Sequence, residues 1–290
     1  MNGILLVDKP SGWTSNDVVC KLKGIFHERR IGHSGTLDPL ATGLLPIFIG
    51  KATKAVEFAE KQVRRYIAEI TFGIETDTQD ISGKVISECK CRVSSKEFQL
   101  AAESFKGNIQ QIPPMYSALK QNGKKLYELA RKGIVVERKP RPVTIYDISL
   151  LSATESGYRF SVQCSSGTYI RTLCQDIGKT LGCGACMSSL RRIECGLFSV
   201  EQAFSLDYIK QCAEEDRLES MLIAIDALFT DKPEYICTQE EERLLKNGGQ
   251  ITVRIPDGAY RVYTLSGELL MLGSVYGGIL KSRKNFFEVS

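Results

Sequence analysis

The stretch Arg30-Ile-Gly-His-Ser-Gly-Thr-Leu-Asp-Pro-Leu-Ala-Thr-Gly43 decides how the rest of the chain is read. It presents one carboxylate, Asp38, in a setting that holds it still. Gly32 and Gly35 permit positive φ and close approach of a ligand. Pro39 fixes its own φ and pushes Asp38 toward an extended conformation. Asp38 is therefore expected on a stiff, non-helical loop, with His33 five residues before it and small residues leaving space beside it. A Gly/Asp/Pro cluster on its own is an ordinary turn, so the flanking sequence has to distinguish a turn from a site.

The chain has 290 residues, enough for one large domain and a small one. It is 43% hydrophobic and 25% charged, as in soluble globular proteins, with a formal net charge of +4. That charge does not indicate nucleic acid by itself. The cations do cluster, at Arg29-Arg30, Arg64-Arg65, Lys124-Lys125, Arg138-Lys139 and Arg191-Arg192, and such clusters can converge on phosphates. No basic segment followed by an apolar run marks a signal peptide, and no run approaches a membrane span. A cytoplasmic protein with reduced thiols is expected. Cys89-Lys-Cys91 and Cys183-Gly-Ala-Cys186 have half-sites of metal-like spacing, but the first is not C-x-x-C and they lie far apart, so no metal is expected. Cys20, Cys164, Cys174 and Cys212 fall in apolar patterns and read as small core residues.

Ile4–Val7 reads as a strand, and Thr14 with Asp17 as a capping box opening an amphipathic helix. Leu44–Ile49 reads as a buried strand and Lys51–Lys61 as a helix. Arg64–Gly73 alternates with period two, putting Tyr66, Ala68, Ile70 and Phe72 on one face. The acids of Glu75–Gly83 read as a solvated turn. Lys84–Cys91 is expected as a strand and Ser94 with Glu97 as the cap of a helix to Lys106. Residues 107–120 read as a Pro-stiffened loop leading to a basic helix, Lys124–Lys132. Pro142–Leu151 and Tyr158–Ser165 read as paired strands. The second runs through Gly167 into a helix, Thr172–Leu181, so that Tyr169 and Arg171 project from the end of a sheet. Gly182–Arg192 reads as a loop, Leu206–Leu222 as a helix and Ile225–Glu234 as a linker. Short strands at Ile251–Ile255, Ala259–Leu265, Leu269–Tyr276 and Phe286-Phe287 form a small β-rich module.

The string Gly-His-x-Gly-Thr-Leu-Asp-Pro-x-Ala-x-Gly-Leu-Leu-Pro, which begins at Gly32, resembles the catalytic loop of the bacterial tRNA pseudouridine-55 synthases. Asp8-Lys9-Pro10-x-Gly12-x-Thr14-Ser15 resembles their first motif, Pro-Pro-x-Tyr-Ser-Ala-x-Lys their RNA-gripping insertion, and Gly167-Thr-Tyr-Ile-Arg171 their second active-site element. Gly182–Arg192 matches the following loop, except that Cys186 stands where the family commonly has histidine. The C-terminal module resembles, weakly, a reduced PUA-like RNA-binding domain. The resemblance implies a mixed α/β (α+β) fold, a pseudouridine-synthase-like antiparallel sheet flanked by helices. It implies a catalytic domain over 1–235, with an insertion at 107–141, and a PUA-like domain over 236–290. It further implies that Asp38 is the nucleophile and that Arg171 pairs with it. By the same resemblance Tyr66 would stack on the target base, although an aromatic in a strand is more often core. On the same resemblance Tyr169 and Leu190 would line the base pocket, Lys9 and Pro10 would brace the loop, and His33 would hold the flipped-out backbone or an adjacent nucleotide; the bland alternative for His33 is a satisfied loop histidine.

An aspartate beside an arginine is expected to stay ionised, which suits a nucleophile and argues against a two-carboxylate glycosidase. It could attack C1′ or C6 of the uridine, or stabilise a glycal-like species. No redox change occurs and no group leaves, so no cofactor is expected. The expected partner is the T-arm stem-loop of tRNA, bound by a monomer, with no DNA or membrane involved. Two rival readings are a noncatalytic RNA-binding or tRNA-folding protein, and a pseudouridine synthase with a different RNA target. A metal-dependent enzyme is a distant third.

Overall fold

A computed structural model describes residues 1–287; the last three residues of the expected C-terminal domain lie outside the described residues. The fold grows from β1 (Gly3–Lys9), in which Ile4, Leu5, Leu6 and Val7 are all buried. A continuous apolar run of this kind belongs to a strand covered on both faces. Leu5 and Val7 face the main core and Ile4 and Leu6 a second one. Helix α1 (Ser15–Phe26) starts at the expected Thr14–Asp17 capping box and buries Val18, Val19, Leu22 and Phe26. Cys20, expected in the core, lies on its exposed face. Strand β2 (Ile31–His33) leads into the loop, and β3 (Thr42–Ile49) returns antiparallel to β1. The helix expected over Lys51–Lys61 is split. A 3-10 segment, Gly50–Ala55, tightened by Thr53 donating to the Gly50 carbonyl, precedes the short α2 (Val56–Glu60).

Strand β4 (Arg64–Phe72) keeps its period of two, with Tyr66, Ala68 and Ile70 buried. β5 (Ile74–Thr76) and β6 (Val85–Glu88) form a hairpin, and α3 (Ser95–Glu103) starts at the Ser94–Glu97 box. The loop expected from Gly107 begins instead as β7 (Gly107–Gln111), an edge strand of the main sheet. A small hairpin, β8 (Lys120–Gln121) and β9 (Lys124–Lys125), then leads to α4 (Leu126–Ala130), shorter than the expected basic helix. β10 (Arg141–Ala153) and β11 (Gly157–Cys164) pair as expected, and α5 (Ile170–Thr180) follows.

The segment read as a loop, Gly182–Arg192, is mostly β12 (Ala185–Cys195), an inner strand between β3 and β4. Its inner positions Ala185, Cys186, Met187, Leu190 and Cys195 are buried, and its mix of small residues and arginines hides the strand period. β13 (Phe198–Ser199) pairs with its end. The sheet runs β1-β3-β12-β4-β11-β10-β7, with β2 on β3 and β13 on β12. All its pairings are antiparallel except β12 with β3. Helix α6 (Leu206–Glu214) stops well short of Leu222. Asp216 takes φ +54°, and a 3-10 turn, Glu219–Met221, follows.

A second sheet has the order β14 (Glu234–Ile236), β16 (Gly258–Tyr263), β17 (Leu269–Tyr276), β18 (Ile279–Asn285) and β15 (Ile251–Thr252), with α7 (Gln239–Lys246) beside it. Strand β14 spans residue 235. The expected linker is a packed turn. Phe229 stacks edge-on against Phe58 at 5.1 Å and meets Phe286 at 6.0 Å, so one apolar cluster joins both sheets.

Candidate active site

Asp38 sits on an irregular loop between β2 and β3 that is fastened along its length. The Ser15 hydroxyl of α1 accepts from the Leu37 amide at 2.9 Å and donates to the Leu37 carbonyl at 3.2 Å. The Pro39 carbonyl accepts from the Gly12 amide at 2.8 Å. The Lys9 ammonium, with no exposed surface, donates to the carbonyls of Trp13, Pro10 and Pro39 at 2.6, 2.8 and 3.4 Å. Burial pulls its pKa down to about 8, against the attraction of Asp38. Of the two glycines expected to need freedom, Gly35 takes φ +73°. Gly32 lies in β2, where a Cβ would meet only Val56 at 3.9 Å.

Arg171, buried in the first turn of α5, reaches Asp38 with two nitrogens. Nη2 donates to Oδ1 at 3.0 Å and Nε stands 2.9 Å from Oδ2. The same guanidinium donates to the carbonyls of Thr78 (2.9 Å) and Tyr116 (2.8 Å) and stands 3.8 Å from the Asp80 carboxylate. Sequence reasoning missed these partners. The acids of Glu75–Gly83 read as a solvated turn, yet Asp80 is buried. It accepts from the Thr78 hydroxyl at 2.9 Å, the Ser82 amide at 3.0 Å and the Ser82 hydroxyl. Asx and hydroxyl turns look the same in sequence whether they face water or a guanidinium.

The carboxyl of Asp38 is raised above its ordinary value, contrary to the lowering expected from an arginine partner. Removal from water is the largest cause. Arg171 pulls the other way, and the Asp80 carboxylate behind Arg171 raises it further. A third of the Asp38 side chain stays open (32%), so it is reachable from solvent.

Tyr169 is the N-cap residue of α5. Its backbone is held by buried Gln111 of β7. The Tyr169 amide donates to Gln111 Oε1 at 2.7 Å, and Gln111 Nε2 donates to the Tyr169 carbonyl at 3.0 Å. Burial raises the Tyr169 hydroxyl's pKa, with Ser117 the main counterweight. Residues 113–115 and Ser117 of the expected arm are buried, so its root forms a wall of the site. Tyr66 and Leu190 belong to the main core, 5% and 6% exposed. His33 lies on β2, paired in the backbone with Ile47, with Nδ1 buried and no hydrogen-bond partner. Burial, helped by the charge of Arg192, lowers its pKa, so the ring is neutral at pH 7. Asp38, Arg171 and Tyr169 thus lie close together, with Lys9 behind the loop.

Three cysteines of the two metal-like half-sites, Cys89, Cys91 and Cys183, lie beside one another. Cys89 Sγ donates to the Cys183 carbonyl at 3.1 Å, while Cys186 is buried in β12. Among the described residues, no group of three or more His, Cys, Asp or Glu is arranged to hold a metal ion. Among them, too, no helix is long and apolar enough to cross a membrane.

The solved structure of a Cbf5–Nop10–Gar1 complex contains a chain that superposes with a TM-score of 0.74 at 25% identity, covering 99% of this chain and 85% of that one. The mixed sheet is thus the fold of a pseudouridine synthase. Residues 23–170 match the family model for the TruB family pseudouridylate synthase N-terminal domain, and residues 171–230 the tRNA pseudouridylate synthase B C-terminal domain. tRNA pseudouridine synthase B of Clostridium novyi is 45% identical over 94% of this chain and 95% of its own length; that of Francisella philomiragia is 42% identical over 91% and 88%. The chain belongs to the TruB family of tRNA pseudouridine synthases, which are isomerases.

Proposed function

We propose that the chain converts uridine 55 in the T-loop of tRNA to pseudouridine, with Asp38 as nucleophile. The observation that carries this is the Asp38–Arg171 pair, at 2.9 and 3.0 Å, with the carboxylate partly exposed. Isomerisation breaks the C1′–N1 bond, turns the uracil and makes a C1′–C5 bond. Attack at C1′ or at C6, or departure as a glycal, calls in each case for one ionised carboxylate held in place. Arg171 supplies the charge that favours that form, and Asp80 and the two carbonyls keep Arg171 from swinging away.

The target base has to leave its loop, at a cost of about a few kcal/mol. Stacking on the Tyr66 ring returns ~1–3 kcal/mol. Leu190 supplies the apolar wall and Tyr169 a hydroxyl beside both Asp38 and the base. His33, neutral, holds the displaced backbone through hydrogen bonds. Residues 107–141 grip the RNA, whose phosphates meet exposed cations such as Lys120 and Lys124. The catalytic unit comprises 1–235 and the PUA-like unit 236–290, acting together as a monomer on the T-arm.

The target is tested by incubating unmodified tRNA with the protein and mapping pseudouridine by carbodiimide labelling and primer extension. One strong stop at position 55 is expected. A stop pattern elsewhere, with position 55 unmodified, contradicts the T-loop assignment.

A further inference from the structure

Arg192 carries a charge yet has no exposed surface. It stands in β12 opposite Tyr66 of β4 on one side and Gly43 of β3 on the other. Its Nε donates to the Leu44 carbonyl at 2.7 Å and its Nη2 to the Gly35 carbonyl at 3.0 Å. Those two carbonyls lie at opposite ends of the segment that carries Asp38. Two glycines make the approach possible. Gly35 takes φ +73°, and a Cβ there would lie 2.6 Å from Arg64 Nη2 and 3.2 Å from Arg192 Nη1. Gly43 takes φ +96°, and a Cβ there would lie 2.3 Å from the Arg192 carbonyl. Both ends of the loop therefore rest on one residue with no side chain between.

A guanidinium is costly to bury, this one leaves Nη1 without a hydrogen-bond partner, and a sheet interior needs no charge. A rigid planar fork of donors holds two carbonyls at a fixed separation, with less freedom than a rotating ammonium and in a way no apolar side chain can. The same group lies against Tyr66. We propose that Arg192 is a positioning residue for the isomerisation, fixing both ends of the 35–44 segment and thereby the place of Asp38 relative to Arg171 and Tyr66. The inference rests on the reading of Asp38 as nucleophile. Arg171 aims the carboxylate through its side chain, and Arg192 aims it through its backbone.

The test compares wild type, Asp38→Asn, Arg192→Lys and Gly35→Ala under single turnover, reading tritium released from a T-arm stem-loop labelled at C5 of uridine. RNA affinity and melting temperature are measured alongside. Phe98→Leu, on the buried face of α3 and distant in sequence from the loop, serves as a variant weakened in stability alone. Arg192→Lys is expected to fold and bind RNA within about threefold of wild type while its rate constant falls about thirtyfold or more. Gly35→Ala, which presses on the guanidinia from the loop side, is expected to behave likewise. A wild-type rate in folded Arg192→Lys, or a loss no larger than that of Phe98→Leu, overturns the proposal. Should Arg192→Lys not fold, Gly35→Ala is read by the same criteria; if neither folds, Arg192 is a folding residue and the proposal is overturned. Absence of release by wild type would strike the reading of Asp38. Release abolished by Asp38→Asn but untouched by Arg192→Lys strikes this inference alone.

Discussion

The Asp80 carboxylate stands 3.8 Å from the guanidinium of Arg171, on the side away from Asp38. One cation thus lies between two acids, and the second acid both steadies Arg171 and raises the pKa of Asp38. Asp80→Asn is therefore expected to have two effects. Arg171 loses a restraint, and the single-turnover rate falls by about 10- to 100-fold. Asp38 loses a neighbouring negative charge, and its pKa moves down.

The sign of the pH dependence follows. The proposed nucleophile Asp38 would act ionised, and its pKa lies above the ordinary 3.8. Activity should fall as pH falls through that raised value, so the acid limb of the rate profile lies above the ordinary carboxylate range. In Asp80→Asn the limb should shift to lower pH. A pH profile of single-turnover rates checks both, and a limb that stays in place when Asp80 is neutral contradicts the coupling.

Gln111 and Tyr169 exchange two hydrogen bonds across the start of α5. Gln111→Ala leaves two backbone groups of Tyr169 without their partner, at about 1–3 kcal/mol. Tyr169 and Arg171 both hang from this turn. The variant should bind the T-arm within about threefold of wild type and isomerise it about 10- to 100-fold more slowly. Equal loss of affinity and rate would place Gln111 in RNA binding instead.

Ser15 holds Leu37 at both its amide and its carbonyl. Ser15→Ala strands these groups in a buried place, and a loss of about 1–3 kcal/mol in unfolding free energy is expected. Chemical denaturation with an unchanged m-value checks it. Ser15→Thr keeps the hydroxyl but adds a methyl at a site with 1% exposure, and should recover only part of the loss.

Much of this site was legible in the sequence, because loops that hold a catalytic group need unusual residues in order. Asp38, Gly35, Arg171 and Tyr169 all sit in such strings, and the capping boxes at Thr14 and Ser94 were equally local. What escaped notice depended on partners distant in the chain. Asp80 looks like any turn acid until Arg171, 91 positions later, is folded against it. Gln111 sits in a strand of polar residues, with nothing to mark it as the clamp of Tyr169. Strand β12 was hidden because small residues and the arginines Arg191 and Arg192 interrupt it, so neither a clean alternation nor an apolar run marks it. The Asp38 pKa was misjudged for a related reason: the sequence displays the cation but not the burial.

Phe229 binds the two sheets together through Phe58 and Phe286. Phe229→Ala should cost about 3–5 kcal/mol and loosen the C-terminal sheet first. Limited proteolysis should then cut near residues 230–236 while the Asp38 cleft keeps its activity on a short stem-loop. Full activity loss on the stem-loop contradicts an independent catalytic unit.

The most direct test of the central claim is tritium release from a T-arm stem-loop carrying [5-³H]uridine, with wild type and Asp38→Asn at matched RNA occupancy. Isomerisation frees the C5 hydrogen to water. The account predicts release by wild type, none by Asp38→Asn and similar RNA binding by both. Release by Asp38→Asn at the wild-type rate would contradict it.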